Sequence, residues 1–166
     1  MASTAGSRRS RSSASKATAG TPADRAWQYA VRLLAAHDRS THEIRQRLEA
    51  FGATLRTVNG TVKRLHDLHY LDDQRFAHSA AAAAVRRGHG SERLRAELSA
   101  KGVADDRIDT AVAAAFADEP ALARRVLDSR YPTPPTRPGE RAKAARWLLQ
   151  RGFPESVVLA ILGEGC

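Results

Sequence analysis

The sequence predicts an all-α protein in which about nine helices form three tandem three-helix repeats, packed as an elongated, curved array. Hydrophobic residues make up 42% of the 166 residues and aromatic residues only 5%, and alanine and leucine supply most of the apolar content. That mixture favours helices over a β-sandwich. No stretch alternates apolar and polar residues for long, so strands have no obvious place. The third observation is an internal repeat.

Three segments of similar sequence recur at a period of about 50 residues. They read IRQRLEAFG (44–52), LRAELSAKG (94–102) and AARWLLQRG (144–152), and each has a leucine and a final glycine at matching positions. Self-similarity at a fixed period is typical of proteins in which like units stack on their neighbours. We therefore divide the chain into a disordered basic tail and three repeats, at residues 1–23, 24–70, 71–117 and 118–166.

Each repeat is predicted to contain three helices in the same order. The first helices cover about 24–38, 72–88 and 119–131, the second about 41–51, 91–101 and 139–151, and the third about 55–69, 104–116 and 154–163. The spacing of Ser40 and Glu43 predicts a capping box at the start of the earliest second helix. The segment YPTPPTRPGE (131–140) contains four prolines, which forbid a continuous helix there.

The glycines that end the second helices are predicted to be C-terminal caps: Gly52, Gly102 and Gly152. A helix often ends at a residue in the left-handed conformation, which glycine adopts without steric cost. In a Schellman-type cap the residue just outside the glycine contacts one inside the helix, and Val103 and Leu98 occupy these places. The other two repeats offer equivalent pairs. A phosphate-cradling role is the alternative for these glycines, and the repeated apolar pairs favour the structural one.

A possible metal site lies near the segment YLDDQRFA (70–77). The candidate ligands are His66, His69, Asp72, Asp73 and His78. Two histidines three apart on a helix share a face, but a helix end separates them from the acids, and no second cluster completes the coordination. Neighbouring acids on a helix point about 100° apart, so they do not converge on one substrate atom. We therefore predict neither a metal site nor a catalytic pair here.

The same segment is better explained as the start of a helix. With Asp72 as the N-cap, Leu71 and Phe76 occupy the two positions of a hydrophobic staple. Asp73 then lies in the first turn, where the positive end of the helix dipole favours a carboxylate. This junction would set the angle at which the basic helices of the second repeat are presented.

No other pattern indicates an enzyme. No serine, cysteine or lysine lies in a recognisable nucleophile context, and a GxxxxGK[ST] loop is missing, so we predict no catalytic residue and no cofactor. Cys166 is the single cysteine, which rules out an internal disulfide and fits a reduced, cytoplasmic setting. We expect no membrane span and no secretory signal.

Positive charge points to a polyanionic partner. The net charge is +9, of which +4 comes from Arg8, Arg9, Arg11 and Lys16 in the acid-free tail. The rest of the chain has 23 basic and 18 acidic residues, a net charge of +5. If stacking aligns the second helices, their cations and those beside them form a positive stripe. The candidate DNA- or filament-binding residues are Arg45, Arg47, Lys63, Arg64, Arg86, Arg87, Arg93, Arg95, Lys101, Arg141, Lys143, Arg146 and Arg151.

Two alternatives to this stripe remain. The cations could form a solvated face with intrahelical pairs, such as Arg93 with Glu97. The segment 94–112 could instead be a helix-turn-helix that reads duplex DNA. Its second helix, however, carries Asp105, Asp106 and Asp109, which a phosphate-lined groove would repel.

The sequence resembles the RecX family of bacterial recombination regulators over about residues 26–163. The segments that carry the likeness are YLDDQRFA, then RRGHGSERLRAELSAKGV, then RWLLQRGFPESVVLAIL, in a fixed order. Two segments depart from the family pattern. AAHDRS (35–40) is less basic than usual, and AAAAA (80–84) replaces bulkier residues.

The resemblance implies a regulator of RecA, usually an inhibitor, that acts in recombination, DNA repair and the SOS response. Such proteins bind RecA and the RecA–DNA filament, and also single- and double-stranded DNA. They block filament extension or promote disassembly, so that the ATPase, strand-exchange and coprotease activities of RecA fall. We expect this chain to do the same, as a monomer and without chemistry of its own.

Overall fold

A computed structural model describes residues 20–163, which form nine α-helices and no strand. The helices are α1 (Pro22–Ala36), α2 (Thr41–Ala50), α3 (Leu55–Asp67), α4 (Asp73–Arg87), α5 (Ser91–Ala100), α6 (Asp105–Ala115), α7 (Glu119–Arg130), α8 (Pro138–Gln150) and α9 (Glu155–Leu162). They form three units, α1–α3, α4–α6 and α7–α9, and in each unit the third helix packs against the other two. The predicted all-α repeat fold is confirmed.

The N-terminal boundary differs from the prediction. Thr21 caps α1, Pro22 is its first residue, and the Asp24 carboxylate accepts from the Thr21 N–H to complete a capping box. Proline suits this position because the first N–H of a helix has no intrahelical partner. The prediction that the disordered tail extends to residue 23 is therefore wrong for residues 20–23. Residues 1–19, with Arg8, Arg9, Arg11 and Lys16, lie outside the described part of the chain.

The second helices end in the predicted Schellman caps. At Gly102, the Val103 N–H donates to the Leu98 carbonyl oxygen at 3.1 Å, and the Gly102 N–H donates to Ser99 at 2.9 Å. The same two bonds recur around Gly52 and Gly152. The φ angles of Gly52, Gly102 and Gly152 are +88°, +67° and +84°, in the region that favours glycine.

The start of α4 follows the predicted cap, with one difference in packing. Asp72 is the N-cap, and its carboxylate accepts from the Arg75 N–H at 3.0 Å. This bond is the main reason that the pKa of Asp72 lies below its ordinary value. Leu71 is buried in the core of the first unit, whereas Phe76 packs against the core of the other two units. The two residues of the predicted staple thus serve different cores.

Within residues 20–163 the buried apolar side chains form two separate cores. Unit one has its own core, with Ile44, Leu48 and Leu65 at its centre. A second core runs without interruption through units two and three and includes Leu98 and Leu148. The fold therefore combines one independently packed unit with a fused pair.

Candidate nucleic-acid interface

The three middle helices, α2, α5 and α8, meet end to end. We call the contact between units one and two the first joint. In it, the Ser40 hydroxyl at the start of α2 donates to the carbonyl oxygen of Lys101, the C-cap of α5, at 2.6 Å. The Thr41 N–H donates to the Asp73 carboxylate at 2.8 Å. Ser40 also forms the predicted capping box with Glu43, so one side chain both caps its helix and joins two units.

The second joint, between units two and three, repeats this arrangement fifty residues later. The Gly90 N–H donates to the carbonyl oxygen of Arg151, the C-cap of α8, at 2.9 Å. The Ser91 N–H and hydroxyl donate to the two carboxylate oxygens of Glu119 at 2.7 and 2.8 Å. Glu119 and Asp73 are each the first residue of their unit's first helix. The joints therefore place the N-terminus of one middle helix on the C-terminus of the next.

Many of the predicted interface cations are held by partners within the chain. Arg93 and Arg95 pair with Glu97 and Asp109, at 2.9 and 2.5 Å. The remaining contacts are Arg45 with Asn59, Lys63 with Asp67, Arg87 with Glu97, Lys101 with Glu43, Arg141 with the Leu162 carbonyl and Arg151 with the Arg87 and Gly88 carbonyls, while Arg64 lies over Trp27. For these side chains the solvated face with internal pairs describes the structure better than a free cationic stripe.

Four predicted cations have no such partner within residues 20–163. They are Arg47 on α2, Arg86 at the end of α4, and Lys143 and Arg146 on α8, and all four are exposed. Guanidinium and ammonium groups in this state are available to phosphate without first breaking an ion pair. The candidate interface therefore narrows to these residues and to the groove described next.

An open groove of about 600 Å³ lies where α4, α7 and α8 meet. We call it the arginine groove, because five arginines line it and none of its lining residues is acidic: Arg86, Arg87, Arg125, Arg130 and Arg151. Val85, Leu122, Val126 and Trp147 supply its apolar part. Arg151 lies over the Trp147 ring, with its guanidinium carbon 4.6 Å from the ring centroid. A cavity lined mainly by cations and apolar groups, with Ser129 as an uncharged polar residue, suits an anion with some apolar surface.

Two of the groove arginines, Arg125 and Arg130, were missed by the sequence analysis. They lie on α7, outside the middle helices on which the cation pattern recurs. The basic segment ARRVLDSR (123–130) was the available signal, but only the packing of unit three against unit two shows that it faces Arg86 and Arg87.

His89 reports the positive environment beside the groove. Burial is the largest cause that lowers the pKa of His89, and the charges of Arg93 and Arg87 lower it further. Its Nδ1 atom is buried without a hydrogen-bond partner within the described residues. The neutral form of the imidazole is therefore favoured.

Four of the five side chains of the metal hypothesis have other partners, and the His78 ring contacts the Gln74 amide at 2.8 Å. The His66 ring bridges the Thr41 hydroxyl and the Leu71 carbonyl oxygen, each at 3.1 Å. Asp72 caps α4, and Asp73 reaches across the first joint. Among residues 20–163, no group of three or more histidine, cysteine or acidic side chains could hold a metal ion.

Over the described residues, no helix combines the length and the apolar composition needed to cross a bilayer.

Three tandem three-helix units within residues 20–163 place the protein in the class of all-α helical-repeat proteins. Two stretches of the chain match models of known protein domains. Residues 26–65 match the first three-helix domain of RecX, and residues 72–112 match the second. The chain belongs to the RecX family.

Relatives in this family extend over most of the chain. A regulatory protein RecX from Cronobacter sakazakii is 35% identical over 144 residues, covering 80% of this chain and 87% of the relative. The protein of the same name from Salmonella typhimurium is 33% identical, covering 75% and 81%.

Solved structures share the fold. The crystal structure of RecX from Lactobacillus salivarius has a TM-score of 0.72 and 20% identity, covering 86% of this chain and 96% of that one. A second crystal structure, of a regulatory protein RecX, has a TM-score of 0.71 and 24% identity, covering 86% and 72%.

Proposed function

We propose that this chain binds RecA and its nucleoprotein filament and lowers the recombinase, ATPase and coprotease activities of RecA. It does so by blocking filament extension or by promoting disassembly. The family membership supplies the regulatory role. The observation that carries the mechanism is the end-to-end row of α2, α5 and α8, with unpaired cations on units one, two and three. A row of linked units can follow a regular filament, whereas a compact domain contacts it at one place.

Two chemically different surfaces support contact with both components of the filament. Arg47, Arg86 and Arg146 offer unpaired guanidinium groups to DNA phosphate. On α6, Asp105 and Asp106 are exposed acids in the first turn, which suit basic groups on a protein partner. The role requires binding and no chemistry by the chain itself, so it needs no cofactor, and a monomer suffices for it.

The deciding experiment adds the purified chain to RecA on single-stranded DNA with ATP and follows ATP hydrolysis. We expect hydrolysis to fall at stoichiometric amounts of the chain. Unchanged hydrolysis at that ratio overturns the proposal.

Replacing Arg47, Arg86 and Arg146 by alanine should weaken the inhibition of RecA ATP hydrolysis. The matched control replaces Arg45, Lys63 and Arg95 by alanine, because these three cations already contact Asn59, Asp67 and Asp109.

Salt dependence separates this function from the other candidate roles. If about six phosphates of single-stranded DNA are neutralised, the slope of log affinity against log salt should be near −4. A purely protein-binding adaptor would show no salt-sensitive DNA binding.

The helix-turn-helix alternative would require the α5–α6 pair to read duplex DNA. A duplex reader would prefer one sequence at matched salt, which competition between duplexes of different sequence measures. Asp105, Asp106 and Asp109 are all exposed on α6, and Asp109 engages Arg95. That charge disfavours insertion of α6 into a DNA groove.

A further inference from the structure

We propose that the arginine groove binds the phosphodiester backbone of single-stranded DNA, and that the bound strand ties units two and three together. This inference rests on the proposed function and deepens it, because it assigns the DNA contact to one place and gives the contact a structural effect. The groove lies beside the row of middle helices: most of its lining comes from α4 and α7, and α8 with its C-cap contributes Trp147 and Arg151.

The charges of the groove are incompletely balanced within the described chain. Arg87 has a carboxylate of Glu97 at 3.9 Å, and Arg151 donates to the carbonyl oxygens of Arg87 and Gly88, each at 3.1 Å. The exposed side chains of Arg86 and Arg125 have no hydrogen-bond or ion-pair partner within residues 20–163. Like charges that face one groove repel each other, and a bound anion converts that repulsion into attraction.

The cations come from both sides of the second joint. Arg86 and Arg87 end α4 of unit two, whereas Arg125 and Arg130 lie on α7 of unit three and Arg151 caps α8. An anion that contacts both sets therefore links two units that already share the second joint. Its binding should favour the arrangement in which the joint is closed, because only that arrangement brings the two sets together.

The shape and the apolar part of the groove favour a single strand over a duplex. A volume of about 600 Å³ lies within the ordinary range for small-ligand sites. A flexible single strand can place phosphate against the arginines and sugar or base against Val85, Val126 and Trp147. Cationic grooves with aromatic side chains are the usual means of binding single strands. The backbone of a duplex follows the outside of a rigid cylinder and enters such a groove poorly.

The test uses Arg86→Ala/Arg125→Ala, which removes one unpaired cation from each unit. The control is Arg25→Ala/Arg56→Ala, which removes the same charge from exposed positions in unit one, outside the groove and the middle helices. Oligothymidylate binding to the full chain is followed by fluorescence anisotropy over a salt series. We expect the groove variant to flatten the salt slope by about 1.4, since each lost phosphate contact is worth about 0.7. An equal change of the salt slope in the groove variant and in the control would overturn the assignment of the groove as the DNA-binding site.

Hydrogen exchange tests the bridging. The Ser91 and Glu92 amides donate across the second joint, to Glu119 and to the Gly152 carbonyl oxygen. Saturating oligothymidylate should slow the exchange of both amides in the wild-type chain and not in the groove variant. Unchanged exchange in the wild-type chain overturns the bridging.

Two further measurements identify the ligand class and separate this proposal from the proposed function. A polyglutamate peptide that displaces oligothymidylate at equal charge concentration would overturn the nucleic-acid ligand in favour of an acidic protein segment. If the groove variant binds DNA normally while the wild-type chain suppresses RecA ATPase, the groove assignment fails and the regulatory function stands. If DNA binding depends on the groove but RecA ATPase is unaffected, the groove stands and the regulatory function fails.

Discussion

The two joints have the same design but differ in what holds them. The second joint uses backbone N–H groups and the buried carboxylate of Glu119, and a single apolar core runs through it. In the first joint, four side chains make the contacts, those of Ser40, Glu43, Asp73 and Lys101, with the Thr41 N–H and the Lys101 carbonyl as backbone partners, and unit one keeps a separate core. Fixed backbone groups and a shared core make a firm contact, whereas side chains can exchange partners. We therefore expect the second joint to be the more rigid of the two, although both joints lie at equivalent positions of the repeat.

The capping glycines allow the largest test of this difference. An alanine Cβ at residue 152 would lie 2.6 Å from the Arg93 backbone nitrogen, and one at residue 102 would lie 2.5 Å from Cγ of His42, a side chain that can move. At Gly52 nothing among the described residues lies within 4 Å. Because all three have positive φ, each variant also loses about 1 to 2 kcal/mol from the left-handed backbone.

We therefore expect denaturant unfolding to rank the losses as Gly152→Ala, then Gly102→Ala, then Gly52→Ala. The first should exceed about 3 kcal/mol, because overpacking adds to the backbone cost. Gly60→Ala on α3 is a control, with open space around it and an expected gain of about 0.5 to 1 kcal/mol. Equal losses at the three caps would remove the distinction between the joints.

The joint carboxylates provide the next test. Glu119→Ala leaves the Ser91 N–H and hydroxyl without their acceptors at a buried site, which should cost about 2 to 3 kcal/mol in unfolding free energy. Asp73→Ala removes one acceptor from Thr41 and a weaker contact with Arg107 at 3.7 Å, for about 1 to 2 kcal/mol.

Glu119→Gln is the matched control for that comparison, because its amide can accept from one Ser91 group and donate to the hydroxyl. Glu119→Gln should lose less unfolding free energy than Glu119→Ala. If Asp73→Ala lost more unfolding free energy than Glu119→Ala, the first joint would be the more stable of the two.

Acid should loosen the first joint through Glu43. Burial acts to raise the pKa of Glu43, but hydrogen bonds from Ser40 and Lys101, with the charges of Lys101 and Arg39, outweigh it and lower the pKa. A lowered carboxyl pKa contributes stability above the unfolded value of 4.5, and this is lost as the pH falls below it. The difference in unfolding free energy between wild type and Glu43→Gln should therefore shrink below about pH 4.5.

The exposed Glu49 on the same helix supplies the control for this pH series. The difference between wild type and Glu49→Gln should stay small throughout. A difference for Glu43→Gln that does not vary with pH would mean that the ion pair across the first joint adds nothing to stability.

His89 gives the smallest predicted effect, next to the second joint. Because its pKa is lowered, the neutral ring contributes stability above the unfolded value of 6.5, and this is lost as the pH falls below it. The stability advantage of wild type over His89→Gln should therefore decrease between about pH 7 and pH 5. An advantage that grows on acidification would contradict burial as the cause.

Local structure could be predicted from the sequence wherever the residues that determine it lie close together along the chain. The Schellman caps at Gly52, Gly102 and Gly152 and the capping box at Ser40 each depend on residues within about six positions of one another, so their spacing is readable. The start of α1 was missed because Thr21 and Pro22 follow a tail of similar composition.

Contacts between units were beyond sequence reasoning for a physical reason. Ser40 meets a carbonyl 61 residues away, and Ser91 meets Glu119 28 residues away. Nothing in the local spacing distinguishes these partners from other polar residues. The arginine groove exists only because the second joint brings α7 beside the end of α4, so the cations counted along the sequence indicated a polyanion-binding surface but not its position.

The row of middle helices has two unlike ends, and this gives the molecule a direction. At each joint the partial positive charge of one helix start offsets the partial negative charge of another helix end. One end of the row is the C-terminus of α2, where nothing among the described residues lies within 4 Å of a Cβ added at Gly52. The other end is the start of α8, where Pro138 has no N–H to donate. A further middle helix docked on the start of α8 would lack the N–H that Thr41 and Ser91 donate in the two joints. The joint chemistry therefore repeats in one direction along the row and stops at α8.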